Sequence, residues 1–273
     1  MTTFLEPTTA IVFKKLFGEQ DRSPLLISLL NNLLELPTGE HIESLSFNEP
    51  DTETVTLDVT CTDKQGKQCI VVLQINADSD VQEQCQFIAA QALARQLKKK
   101  AATGALAPIA CITLADSRIF SQDSRYSRTY RLIDAQAPDA RLQHTSFVFI
   151  ELPKFTKALD ELSSPIDRWL YFFKHAASLE AAPKQLEKVS EIKEACQLLT
   201  EMKLTRKELD AYEAEVKLRR ITQAQQEAEE LARRQGMQDA QRKLIEQMLT
   251  ALPMEQVADI TKLSIEQIQG LLV

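Results

Sequence analysis

The amino-acid sequence predicts an α/β core followed by an all-helical region. Three observations lead there. Between residues 41 and 152, short runs rich in Val, Ile, Leu and Phe alternate with a helical pattern, the alternation that builds an α/β layer. From about residue 156 the strand-like runs stop. Residues 183–249 are then charged, helical in pattern and nearly free of glycine, as suits a solvated helical hairpin or a partner helix.

Taken in order, residues 8–37 read as helical. Phe13, Leu16 and Phe17 have helical spacing and Gly18 offers a C-cap. Ser23-Pro24 opens a second helix, whose run LLISLLNNLLEL is mostly apolar and belongs inside; Pro37-Thr38-Gly39 ends it. Strands are expected within 41–48, at 53–61 and at 68–76, the last two joined by a three-residue loop in which Gly66 supplies the left-handed position. If Asp63 pairs with Lys67, Asp58 lies opposite Val72, and a glycine bulge would shift this by one residue. Both faces of the second hairpin strand are apolar apart from Gln74, so the sheet should be covered on both sides.

Residues 80–100 form an amphipathic helix ending in Lys98-Lys99-Lys100, and 107–115 and 144–152 are further strands. Residues 165–179 make an aromatic helix around Trp169, a packing element. The window 201–250 carries ten basic and ten acidic residues, a balanced surface. In the tail, 241–273, three short helices are expected, with Pro253 starting the second and Ser264 capping the third. The tail has a helix-turn-helix cadence, but with three basic and four acidic residues it lacks the cations that phosphate contacts need. Oligomerisation or packing is the better reading of it. The expected divisions are 1–156, 157–240 and 241–273.

A net charge of -7 excludes a polycation, so any nucleic-acid contact must come from a local patch. One window offers it: 95–131 has eight basic residues against Asp116 and Asp123, with Tyr126 and Tyr130 among the arginines. Its nucleic-acid-binding candidates are Lys98, Lys99, Lys100, Arg118, Arg125 and Arg128; the bland alternative is a lysine-rich helix end beside a solvated loop. Five cysteines with no CxxC spacing, no apolar run of membrane-spanning length and no signal-like start point to a reducing, cytoplasmic setting without a disulfide framework.

The segments FKKLFG (13–18), LDVTCTDKQGKQCIVVLQI (57–75), ELPKF (151–155), DRWLYFFKHA (167–176) and MLTALPMEQVADITKLSIEQIQGLL (248–272) resemble the Rpn-type family of recombination-promoting nucleases and transposases in the PD-(D/E)XK superfamily. The resemblance implies a restriction-endonuclease-like mixed sheet flanked by helices, with an all-helical C-terminal region. It also implies Mg²⁺-dependent cleavage of DNA, in which carboxylates hold the ion against the scissile phosphate and activate a water.

Carried over by position, Asp58 matches the family's strand acid and would be the metal ligand, and Gln74 matches the polar residue that orients water. Ala10 stands where the first-helix acid is expected, and Val72 where a strand Glu is expected. One carboxylate and one amide are a poor set for Mg²⁺. The expectation is therefore a weak or inactive family member, kept for DNA binding or for assembly as a homo-oligomer through its C-terminal helices. Two alternatives stand beside it. One is an active Mg²⁺-dependent endonuclease using a migrated acid, Glu83 first, with Asp78 and Asp80 behind it. The other is a helical interaction protein on an old nuclease scaffold.

Overall fold

The structure, a computed structural model, describes residues 4–49, 57–75, 80–99, 106–120, 123–137 and 139–272. Its contacts divide the chain into two units, residues 1–213 and 214–273.

The first unit opens with α1 (Ala10–Phe17) and α2 (Ser23–Leu33). Gly18 ends α1 by donating its N–H to the Lys14 carbonyl at 2.8 Å. A Cβ there would lie 2.6 Å from that same oxygen, so only glycine fits without displacing the helix end. Six strands follow: β1 (Ile42–Phe47), β2 (Leu57–Asp63), β3 (Gln68–Ile75), β4 (Ile109–Ala115), β5 (Ser127–Ile133) and β6 (Arg141–Glu151). Helix α3 (Val81–Lys99) lies between β3 and β4 in sequence. The strand order is β1-β2-β3-β4-β6-β5, with β3, β4 and β6 parallel and the other pairs antiparallel. This is the mixed sheet that the resemblance implied. The β2–β3 hairpin keeps the unshifted register: Gly66 has φ 77° and Asp58 lies opposite Val72. Residues 53–56 of the expected second strand lie outside the described residues.

Both faces of the sheet are covered. Leu57, Val59, Cys61, Val71, Leu73, Ala110, Ile112, Val148 and Ile150 face α1, α2, α4 (Pro165–His175) and α5 (Ser190–Glu201) in the main core. On the other face Val72, Ile109 and Cys111 meet Ile88, Ala89 and Ala92 of α3. The boundary expected at 156 falls inside the main core. Phe155, Trp169, Leu170, Phe172, Ile192 and Leu199 are buried with Leu26 and Leu29 in one cluster, so α4 and α5 complete the sheet's packing. Trp169 stacks on Phe173 with ring centroids 6.0 Å apart, a packing role.

Helix α4 starts on a reciprocal cap. The Ser164 hydroxyl accepts from the Asp167 N–H at 3.2 Å, and the Asp167 carboxylate accepts from the Ser164 N–H at 3.0 Å and from Lys157 Nζ at 2.7 Å. Burial works to raise the Asp167 carboxyl, but these hydrogen bonds outweigh it and hold it at about 2. Helix α6 (Arg206–Ala251) begins in this unit, where Lys15 pairs with Glu208 at 2.8 Å and the Tyr212 hydroxyl accepts from the Glu6 N–H at 3.1 Å.

The strand that sequence reading misses is β5. Its run SRTYRLI is an edge strand with most side chains exposed. With no buried face, it carries no alternation of apolar and polar residues to reveal it.

In the second unit, Ile245 of α6, Val257 of α7 (Met254–Thr261) and Ile268 of α8 (Ile265–Leu272) are fully buried against one another. Lys262 turns the chain between α7 and α8 with φ 59°. Ser264 caps α8, accepting from the Gln267 N–H at 3.1 Å while Gln267 Oε1 accepts from its N–H at 2.8 Å. Among the described residues, no helix is long and apolar enough to cross a membrane.

Candidate functional site

The α3-covered face of the sheet holds the residues of interest in two rows. One row runs Asp58, Val72, Cys111 and Phe147 across β2, β3, β4 and β6; the next runs Gln74, Thr113 and Phe149. Alternation along each strand puts both rows on one side.

Asp58 is 4% exposed, and its carboxylate is held at both oxygens. Oδ1 accepts from Asn48 Nδ2 at 2.8 Å, and Oδ2 pairs with the guanidinium of Arg95, from α3. Each partner is itself anchored. Asn48 donates its N–H to the Asp58 carbonyl at 2.7 Å and exchanges side-chain hydrogen bonds with Thr60 at 3.1 and 3.2 Å. Arg95 also donates through Nη1 to the Glu49 carbonyl at 3.0 Å. A carboxylate this deeply buried needs a charge partner, and here the partner is a protein cation.

Val72, 1% exposed, lies in the apolar cluster with Ile88, Ala89, Ala92, Ile109 and Cys111. Gln74 is buried too, and its Oε1 accepts from the Cys85 thiol at 3.2 Å; Cys85 Sγ lies 3.1 Å from Thr113 Oγ1. Burial pushes the Cys85 thiol up, against a smaller opposing effect of the Thr113 hydrogen bond, so it stays a neutral donor. Ala10 opens α1 and packs against the main core, with no acid in the first turn of that helix. Glu83 is exposed in the first turn of α3, and Asp80 accepts from Gln84 Nε2 at 2.8 Å. Asp78 lies outside the described residues. Among the described residues, no three His, Cys, Asp or Glu side chains converge to hold a metal ion.

The basic candidates fall into three places. Lys98 is exposed near the end of α3, ahead of β4. Lys100 and the side chain of Lys99 lie outside the described residues. Arg118 and Arg125 lie in the segment after β4, and Arg128, on β5, lies level with Phe149 of β6 and Thr113 of β4. Arg118 is exposed. Arg125 and Arg128 both pair with Asp123, at 2.8 and 2.6 Å, and Arg128 lies 4.5 Å over the Phe120 ring. Hydrogen bonds from Arg125, with its charge and that of Arg128, lower the Asp123 carboxyl.

Two features of the site escape a sequence-only list. Arg95 had a signal: it continues the stripe Val81, Cys85, Ile88, Ala92 at steps of three and four, so a charge lay on the inward side of the helix. The role of ELPKF had none. Glu151, fully buried, accepts from the N–H groups of Ile119 at 2.7 Å and Phe120 at 3.1 Å and from Lys154 Nζ at 2.8 Å. Lys154 in turn donates to the Phe120 carbonyl. The segment therefore clamps the loop after β4 to the end of β6.

A family model described as PD-(D/E)XK nuclease family transposase matches residues 7–229. The chain belongs to that family. A search of curated proteins and one of solved structures found no match. PD-(D/E)XK nucleases generally use a divalent metal, and the residues here do not fit one. The single strand acid already has a guanidinium on one oxygen and an amide on the other. Its cross-strand neighbour is an apolar side chain in an apolar cluster, and a cation brought to this carboxylate would meet Arg95 at close range.

Proposed function

We propose that this PD-(D/E)XK nuclease family transposase binds DNA without cutting it. The reading rests on one observation, the ion pair between Asp58 and Arg95 beside a buried valine. Arg95 supplies the positive charge that a metal ion would otherwise bring to the strand carboxylate. It cannot activate water, because a guanidinium stays protonated and offers no open coordination position. Gln74, the polar residue of the second row, is buried and its Oε1 is engaged by the Cys85 thiol.

DNA contact rests on Lys98 and Arg118, exposed beyond opposite ends of β4, and on the lysines that follow Lys98. Duplex binding by gel shift should weaken steeply as salt rises from 50 to 200 mM. Lys98→Glu with Arg118→Glu should weaken it roughly tenfold or more and flatten the salt dependence. Binding that both substitutions leave unchanged would remove DNA from this reading.

A second reading, assembly into a homo-oligomer, draws on α6. Leu218, Ile221, Leu231, Met237 and Leu244 are exposed along that helix, and exposed large apolar side chains on a long helix suit a partner helix. Light scattering should then give a mass above 30.8 kDa that falls to the monomer value in Leu218→Glu with Leu231→Glu. A monomeric wild type ends this second reading.

A further inference from the structure

The opposite face of the same hairpin holds a second set of reactive side chains. Cys61 of β2 and Cys69 of β3 lie directly across from each other. The Asp63 N–H bonds to the Lys67 carbonyl at 3.0 Å, so that pair is a hydrogen-bonded one. Paired positions alternate, so Cys61 and Cys69, two steps along, are a hydrogen-bonded pair again. Their Cα atoms are then about 5.5 Å apart, inside the range of about 4.4–6.8 Å that disulfides span.

The two thiols differ in access. Cys61 is fully buried in the main core, whereas Cys69 is partly exposed and lines a cavity of about 320 Å³. Pro108, Ile42 and Leu36 wall that cavity together with Lys67, Arg131 and the acids Glu35, Glu40 and Asp63, so a small polar molecule finds a cleft of mixed charge that reaches Cys69. The remaining cysteines, Cys85, Cys111 and Cys196, are buried and do not line it.

We propose that Cys61 and Cys69 are a peroxide-oxidised dithiol, with Cys69 the attacking sulfur and Cys61 the resolving one. The Cys69 thiolate attacks one oxygen of a hydroperoxide. The O–O bond breaks, a sulfenic acid forms on Cys69, and the alcohol or water leaves with a proton. The Cys61 sulfur then attacks Cys69 Sγ, the S–O bond breaks, and the hydroxide leaves as water with the Cys61 proton. Two thiols and one peroxide give one disulfide, one alcohol or water, and one water. The polarity of the pair supports the assignment. The hydrogen bond from Cys61, aided by Lys67, lowers the Cys69 thiol against burial and Asp63, and the same hydrogen bond followed by burial raises Cys61. Burial pushes Cys111 up to about 12 and Cys196 up to about 11.

The test treats the 273-residue chain with one equivalent of hydrogen peroxide, then unfolds it, alkylates the free thiols and maps the peptides by mass spectrometry. The expected product has Cys61 joined to Cys69 and alkylated Cys85, Cys111 and Cys196, and dithiothreitol restores all five thiols. With Cys61→Ser, dimedone should trap a sulfenic acid on Cys69. Before oxidation, iodoacetamide at pH 7 should label Cys69 roughly tenfold faster than any other cysteine. A different disulfide, a free Cys69 after treatment, or dimedone at another cysteine would overturn the proposal.

Discussion

Arg95→Ala is expected to cost about 3 kcal/mol of stability, the low end for breaking a buried pair because Arg95 itself is partly exposed. The loss comes from the carboxylate left behind. Asp58 is 2% exposed at its side chain and, among the described residues, would keep Asn48 alone as a hydrogen-bond donor, on one oxygen. Asp58→Asn in the same chain should return more than half of the loss, because an amide needs no counter-charge. Urea unfolding of the four chains in a double-mutant cycle reads the coupling directly. A coupling under about 0.5 kcal/mol would mean that the guanidinium does not hold the carboxylate, and Asp58 would again be free for a cation.

Val72→Glu is expected to cost about 3–5 kcal/mol at pH 7, since it replaces a buried apolar side chain with a charge inside the α3 cluster. The new carboxyl would lie opposite Asp58, a second acid beside a single guanidinium. Burial and the like charge both raise its folded-state pKa above the unfolded value of about 4.3. A raised acid destabilises by resisting ionisation. The penalty is therefore small below pH 4.3, grows as the pH rises above that value, and levels off above the folded pKa. Unfolding at pH 4 and at pH 8 should show the gap widening with pH. The same substitution sets a second strand carboxylate beside Asp58, and two carboxylates outweigh the one guanidinium, so Mn²⁺ should raise the Tm of Val72→Glu and leave the wild type unmoved. Equal stabilisation of both chains would place a metal site in the wild type.

Much of this arrangement was legible before any coordinates. The hairpin register was legible to within one residue, because the three-residue connection with Gly66 sets Val72 opposite Asp58 unless a bulge shifts the pairing, and the unshifted register is the one observed. The two-sided cover of the sheet followed from the apolar character of both faces of β3. What pattern could not supply was the partner of Asp58. Arg95 lies 37 residues along the chain and reaches the carboxylate only because α3 packs back over β3 and β4. The basic window shows the same limit in reverse. Charges close in sequence are divided between the end of α3, the segment after β4 and edge strand β5, and Asp123 engages two of the arginines. Edge strand β5 was hidden for want of a buried face, and the division expected at 156 falls within the main core because α4 and α5 contribute apolar faces to a core begun by α1 and α2.

With its strand acid held by a guanidinium, this family member is expected to bind DNA and leave it uncut. The most direct measurement incubates supercoiled plasmid with Mg²⁺ or Mn²⁺ and with wild type, Asp58→Ala or Val72→Glu, reading cleavage and retardation on the same samples. The expected result is plasmid that wild type retards and leaves supercoiled, with Asp58→Ala no different. Metal-dependent nicking by the wild type that Asp58→Ala abolishes would contradict it, and would point to an acid recruited from elsewhere, with Glu83 the first to replace.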